Sequence, residues 1–234
     1  MLDCVPNQPR IGADVQGNGF KEYIKGGMGH PIMAKNTGDI ILRDRMQFTV
    51  DAAGDLTTLY GRIDLSAYVN PVSRAGISVK EIKFMLRHPT STNTPNTGNF
   101  EQIGNPVNVT STDPSVSGLK MFATTRAYEN AADVGIASPD VLCVYQRMCY
   151  TSPTTTTTAD RVGQWYTLTE DWYGPADLHP EGYTVVSDLL IGLAVDDWSS
   201  ISTDTIELDV LIVAEPIKVT ESRLNELLSQ GLDL

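Results

Sequence analysis

A chain of 234 residues suits one large all-β domain or two small ones, and it can bury a sizeable core. Its composition, 41% hydrophobic and 20% charged, is that of a folded soluble protein, and 13 Pro with 19 Gly imply many turns. The formal net charge of −12 weighs against a broad nucleic-acid-binding face, because neutralising phosphates needs clustered Lys and Arg.

Residues 1–37 hold Gly12, Gly17, Gly19, Gly26, Gly27 and Gly29 with little hydrophobic periodicity. They read as an extended arm, ordered only where something holds it. Its charges nearly cancel, Arg10, Lys21, Lys25 and Lys35 standing against Asp3, Asp14 and Glu22. Met1-Leu2-Asp3-Cys4-Val5-Pro6 lacks the basic flank and apolar core of a signal peptide, so synthesis in the cytosol is the expectation. No apolar run approaches the roughly 20 residues that span a bilayer. A tail without a role and an arm that reaches a neighbour are both open for this segment.

Strand signals begin at Asp39. Asp39–Val50 carries Ile40, Leu42, Met46, Phe48 and Val50 on one parity, interrupted by Asp44, and Asp51-Ala52-Ala53-Gly54-Asp55 is a turn. Leu56–Leu65 alternates through Leu59, Gly61, Ile63 and Leu65. In Ile77–Arg87 the apolar parity changes, from Ile77 and Val79 to Ile82, Phe84 and Leu86. That change predicts a β-bulge or a switch of sheet near Lys80–Ile82. His88–Gly118 is polar and rich in Thr, Asn, Ser and Pro, with one short strand candidate at Val107–Thr110; loops this long are usually functional or disordered. Leu119–Thr125 and Val141–Tyr150 are further strands, and Arg126–Val134 between them reads as a short helix on a crossover. Thr154–Thr158 is loop, Val162–Thr169 a strand, and Asp171–Gly182 an aromatic loop.

Two apolar runs, Thr184–Val195 and Thr205–Ala214, organise the last third around the turn Asp196-Asp197-Trp198-Ser199-Ser200. Ile206, Leu208, Val210 and Ile212 share one parity, with Glu207 and Asp209 on the other, as in a half-buried strand. Leu189–Val195 is apolar on both parities, as in a strand covered on both faces. The two runs predict neighbouring strands in the middle of one sheet. Beyond them Thr220 is placed to cap a helix, Glu221 suits its first turn, and Val219 with Leu224 has hydrophobic-staple spacing. Leu224, Leu227 and Leu228 form an apolar stripe and Gly231 a stop. A helix of about 11 residues is marginal alone, so its stripe must dock, on its own domain or on a neighbour.

About eight strands, no β-α-β alternation and no repeat of fixed period define the expected fold. It is an all-β antiparallel two-sheet sandwich, eight-stranded jelly-roll type, with an extended N-terminal arm and a short C-terminal helix. The expected organisation is arm 1–37, sandwich 38–217, and helix with tail 218–234.

Reaction chemistry is sparse. His30, His88 and His179 each precede proline, which favours extended backbone at strand ends or turns, and they lack metal-ligand spacing. Cys143 and Cys149 share a strand parity but lie roughly 20 Å apart along it, too far to bridge; they read as small core residues and Cys4 as a free thiol. No G-x-S-x-G elbow, phosphate loop or H-E-x-x-H is present. The acid pairs Glu170-Asp171 and Asp196-Asp197 have the residue types of a glycosidase, yet adjacent acids in turns are usually solvated surface. Asp196, Asp197 and Asp204 are a calcium candidate through their oxygens, although the spacing matches no EF-hand loop. Asn108-Val109-Thr110 is a glycosylation sequon that reads as accidental where no export signal is expected. Neither enzyme activity nor a cofactor is expected. Trp165-Tyr166, Trp172-Tyr173, Tyr183 and Trp198 gather in the last third, and Tyr and Trp at loop tips favour protein interfaces and also stack on sugar rings.

A near-neutral arm, about eight jelly-roll-like strands over Asp39–Ala214, Thr/Asn/Pro-rich loops and a short helix after the last strand converge. Together they resemble the single jelly-roll capsid proteins of tailless icosahedral viruses. The resemblance implies a sandwich that tiles the shell of a virion and is made in the host cytoplasm. It further implies that the arm Met1–Asn36 and the helix Glu221–Gln230 clasp copies of the same chain, and other capsid proteins. Leu224, Leu227, Leu228, Trp172, Tyr173 and Trp198 are the interface residues this reading selects. The arm departs from the Arg/Lys-rich arms that package naked nucleic acid, so either the genome is contacted elsewhere or the shell encloses a membrane. An alternative is a carbohydrate-binding β-sandwich module with Trp172, Tyr173 and Trp198 as its stacking platform. A third is a jelly-roll enzyme, for which bound metal is the indicator.

Overall fold

The computed structural model describes residues 38–87, 115–151, 166–198 and 202–230. Chain contacts divide the protein into two units, Met1–Lys35 and Asn36–Leu234, and every described residue belongs to the second. The readings made for the arm, His30, His88, Val107–Thr110, Thr154–Thr158, Trp165 and Gly231 lie outside the described residues.

In chain order the strands are β1 (Ile40–Thr49), β2 (Leu56–Ile63), β3 (Ala75–Arg87), β4 (Ser115–Thr124), β5 (Val141–Thr151), β6 (Tyr166–Tyr173), β7 (Tyr183–Val185), β8 (Leu189–Asp196) and β9 (Thr205–Lys218). Two helices accompany them, α1 (Pro175–Leu178) and α2 (Glu221–Gln230). One sheet has the order β1-β9-β3-β7 and the other β2-β8-β4-β5-β6. All pairings are antiparallel and they nest: β1 with β9, β2 with β8, β3 with β7, β4 with β5. A long hairpin of strands rolled over on itself in this way is a jelly roll, and β6 extends it by one strand on the outer edge of β5.

Period-two alternation fixes which face is core. Ile206, Leu208, Val210 and Ile212 of β9 meet Leu189, Ile191, Leu193 and Val195 of β8 in one buried cluster between the sheets. The bulge expected in β3 is present: Val79 pairs with Ala214 and Glu81 with Val213, leaving Lys80 as the extra residue. The inward set therefore passes from Ile77 and Val79 to Ile82, all without exposed surface. Cys143 and Cys149 are both buried, as expected of small core residues, and burial raises both thiol pKa values.

Four expectations are corrected. β8 and β9 are not neighbours in one sheet; they face each other from opposite sheets. The run Thr184–Val195 is broken at Ser187-Asp188 into β7 and β8, which also belong to different sheets. β8 is apolar on both parities because its outer side lies under the Thr125–Asp140 crossover, where Phe122 of β4 packs with Ala131, Val134, Val144 and Ala194. The crossover holds only a 3₁₀ turn, Ala131–Asp133, capped by the Asn130 side chain. Finally, Asp171, Trp172 and Tyr173 belong to β6 rather than to a loop. The strand ends where Gly174 donates its N–H to Asp177 Oδ2 at 2.8 Å and Pro175 opens α1.

The C-terminal helix begins as its sequence dictates. Thr220 Oγ1 accepts from the Arg223 N–H at 3.4 Å, and Leu224 closes on Val219 and Val186. Among the described residues no helix is long and apolar enough to cross a membrane.

Candidate functional site

The flank at β3 is where the two sheets fail to match. β7 pairs with Ile77, Ser78 and Val79 and then stops, while β3 continues to Arg87. Among the described residues no strand pairs with this edge of β3 over Lys80–Arg87. The opposite sheet does not stop there: β5, β6 and α1 carry on along the flank. The mismatch opens a groove of about 700 Å³, floored by Leu119, Met121 and Tyr145 and walled by Phe84, Leu86 and Trp172. Phe84 and Trp172 meet edge-on across it at 5.8 Å between ring centroids. Trp172 nevertheless stays 42% exposed, Met85 57% and Leu168 37%.

The rim charges neutralise one another. Lys80 Nζ reaches Asp39 at 2.7 Å and Glu215 at 2.8 Å, Lys83 reaches Glu81 at 2.9 Å, and Arg87 reaches Glu207 at 3.2 Å. Inside the groove Tyr145 donates its hydroxyl to Glu170 Oε1 at 2.7 Å, with Arg147 Nε 3.5 Å from the same oxygen. Burial, with Glu170 as hydrogen-bond acceptor and nearby charge, pushes the Tyr145 pKa up to about 12. Apolar walls, a paired rim and an unpaired backbone edge suit recognition by burial and strand pairing.

The residues selected from the sequence are dispersed. Trp172 lines the groove. Tyr173, the next residue on the same strand, points to the other face of its sheet and is half-buried. Trp198, read as an exposed turn residue, is 3% exposed in the main core, its backbone N–H donating to the Gly54 carbonyl at 2.8 Å. These three side chains do not share a surface, so the stacking platform of the carbohydrate-binding reading is not assembled. Leu224 is 7% exposed because α2 docks on its own domain; Leu227 is half-buried there, and Leu228 remains 37% exposed.

Asp196, Asp197 and Asp204 do not converge either: no group of three metal-ligating side chains forms among the described residues. Asp197 instead takes a left-handed backbone, φ 49°, and donates its N–H to Asp55 Oδ1 at 2.8 Å. Burial, with the like charges of Asp196 and Asp55, raises its carboxyl pKa. His179 is structural, its Nε2 donating to the Val141 carbonyl at 2.9 Å with the ring against Tyr183. The sequence reading missed the β3 edge, Phe84 and Tyr145 as parts of one feature. Its one local signal is Met85, an apolar residue on the outward parity between Lys83 and Arg87.

No protein-family model matches this sequence, and no curated protein matches it. Among solved structures, one of Desmodium yellow mottle tymovirus aligns with 93% of this chain and 100% of its own, at 10% identity and a TM-score of 0.24. A structure of turnip yellow mosaic virus aligns with 79% of this chain and 99% of its own, at 10% identity and a TM-score of 0.23. The strand order, rather than these superpositions, defines the class: an all-β jelly-roll sandwich, with one flank uncovered among the described residues.

Proposed function

We propose that this protein is a structural subunit that assembles with copies of itself, as the capsid subunit of a virion made in the host cytoplasm. Sandwiches serve many functions, so the fold alone does not carry the reading. The observation that carries it is the flank where, among the described residues, Trp172 and Met85 stay exposed at an apolar groove beside an unpaired strand edge. Exposed apolar surface of this kind marks interaction sites, and aromatic residues and Met are enriched in them. Leu228 on α2, with Val116 and Met148 on the five-stranded sheet, supplies further apolar contact points. The mechanism is burial between copies; a stable contact covers about 1,200–2,000 Å² in total, and a shell subunit makes several.

Light scattering on the purified full chain, across protein concentration and salt, tests this together with electron micrographs of the same samples. Closed particles or discrete oligomers are expected. A strict monomer under every condition would end the proposal.

A further inference from the structure

A second cavity, of about 430 Å³, lies between α2, the link from β7 to β8 and the two ends of the Thr125–Asp140 crossover. The Thr125 N–H donates to the Asp140 carbonyl at 3.0 Å, which brings those two ends together. Arg126 and Asp140 both line the cavity. Asp140 is only 7% exposed, and its Oδ2 lies 3.5 Å from Arg126 Nε. At that separation the two charges cancel, but no good hydrogen bond joins them. Arg126 Nε is buried without a hydrogen-bond partner, and among the described residues nothing donates to the Asp140 carboxylate. An open donor and an open acceptor thus stand together at a buried surface, where such groups are normally satisfied. The rest of the lining is hydroxyl or apolar. Tyr183 Oη and Thr125 Oγ1 lie 3.5 Å apart, Ser187 is exposed at the mouth, and Leu227 and Leu228 of α2 form an apolar wall. Burial raises the Tyr183 pKa, so its hydroxyl stays protonated and can donate as well as accept. The other acid of the lining, Asp188, is paired with Arg62 at 2.5 Å. Since the charges around the cavity are already cancelled within the chain, an ion would enter it uncompensated. The complement is a neutral molecule with donors and acceptors on adjacent atoms and an apolar face.

We propose that this cavity binds a neutral sugar ring, free or at the end of a glycan, with one hydroxyl donating to Asp140 and its neighbour accepting from Arg126. Tyr183 supplies a further polar contact, and the Leu227–Leu228 wall takes the C–H face of the ring. The site is formed before the ligand arrives: the Arg126 guanidinium sits 5.1 Å over the Tyr128 ring, and the Tyr183 ring is held edge-on by His179 at 4.6 Å. Such preorganisation limits what binding costs in lost side-chain freedom. The inference is separate from the assembly reading, and it uses none of Trp172, Tyr173 and Trp198, which the fold disperses.

Saturation-transfer NMR titrations on the purified full chain test it. Glucose, galactose, mannose and N-acetylglucosamine are the neutral probes, and inorganic phosphate and sialic acid the anionic ones. A glycan array presents the same neutral rings at chain ends. At least one neutral ring is expected to bind. Asp140→Asn keeps the shape but turns half of the acceptor into a donor, and is expected to weaken binding about tenfold or more. Because Asp140 is buried, Tyr183→Phe is the second variant. It removes a hydroxyl whose contacts within the chain are 3.3 and 3.5 Å long, so the fold is expected to tolerate it while binding weakens about three- to tenfold. Binding on the array alone assigns the site to glycan ends, and binding in solution alone assigns it to a free sugar. Either supports the proposal when Tyr183→Phe weakens it. No binding by any neutral ring, binding that Tyr183→Phe leaves unchanged, or anions that bind as tightly as the neutral rings overturns it. None of these outcomes bears on the light-scattering test of assembly.

Discussion

Two aromatic pairs cross at nearly the same geometry and end in opposite environments. Tyr60 meets Phe122 edge-on at 5.7 Å, and Phe84 meets Trp172 at 5.8 Å. Phe122 has no exposed surface and Trp172 keeps 42%. The pairs themselves contribute alike, about 0.5–1.5 kcal/mol beyond area. What differs is the covering. Over Phe122 the Thr125–Asp140 crossover closes, held by Lys120 Nζ donating to the Ala131 carbonyl at 2.7 Å and to that of Val134, and by the Tyr128 N–H on Tyr60 Oη at 2.8 Å. Over Trp172 the strand that would close the flank has already ended. Among the described residues one face is covered by the crossover and the other is not, with the same side-chain chemistry at both.

The sharpest way to break this comparison is to truncate both rings. Phe122→Ala removes a fully buried ring and is expected to cost about 3–5 kcal/mol, read as the shift in urea midpoint at unchanged m-value. Trp172→Ala is expected to cost only about 1–2 kcal/mol in the monomer, since much of its surface is already wet, while weakening assembly. Equal losses in dilute protein would show that the flank is as closed as the crossover face.

Within α2 the same contrast recurs one turn apart. Leu224→Ala is expected to cost about 2–3 kcal/mol, because its side chain fills the contact with Val186 and Val219. Leu228→Ala is expected to stay within about 0.5 kcal/mol in the monomer. If Leu228→Ala proved the costlier of the two, the docked face of the helix would be misassigned. Gly192→Ala sharpens the closed side: a Cβ there collides with the Phe122 ring, which the crossover pins from above. Overpacking of this kind costs about 1–3 kcal/mol, and a neutral result would mean that the ring has room to move.

Sequence legibility follows the same division between local and distant information. The β3 bulge and the Thr220 cap with its Val219–Leu224 staple are local patterns, and residues within a few positions of one another determine them. Parity tells which face of β8 and β9 is apolar but not which sheet each joins, so two strands that face each other across the core read as neighbours. Trp198 sits in a turn and reads as exposed until Gly54, far away in sequence, receives it. The open flank is less legible still. It exists because β7 has 3 residues and β3 has 13, a mismatch between segments about a hundred residues apart that neither segment reports alone.

Two tyrosines, one on each side of the comparison, lose only hydrogen bonds when their hydroxyls are removed. Tyr60 Oη accepts from the Tyr128 N–H at 2.8 Å and donates to the Tyr128 carbonyl at 3.2 Å beneath the crossover. Tyr60→Phe strands both backbone groups and is expected to cost about 1–3 kcal/mol. Tyr145→Phe frees Glu170, whose side chain is 50% exposed and rehydrates, so about 0.5–1.5 kcal/mol is expected at neutral pH. In alkali the Tyr145 contribution has a definite sign. Its pKa rises from 10.0 to about 12 on folding, so the fold favours the neutral phenol. That stability is fully present below pH 10 and is lost as pH climbs from 10 toward 12. Urea midpoints measured across that window should fall less steeply in Tyr145→Phe than in the parent chain. An unchanged slope would move the titration to another group, with Tyr60, also raised by burial, the first to examine.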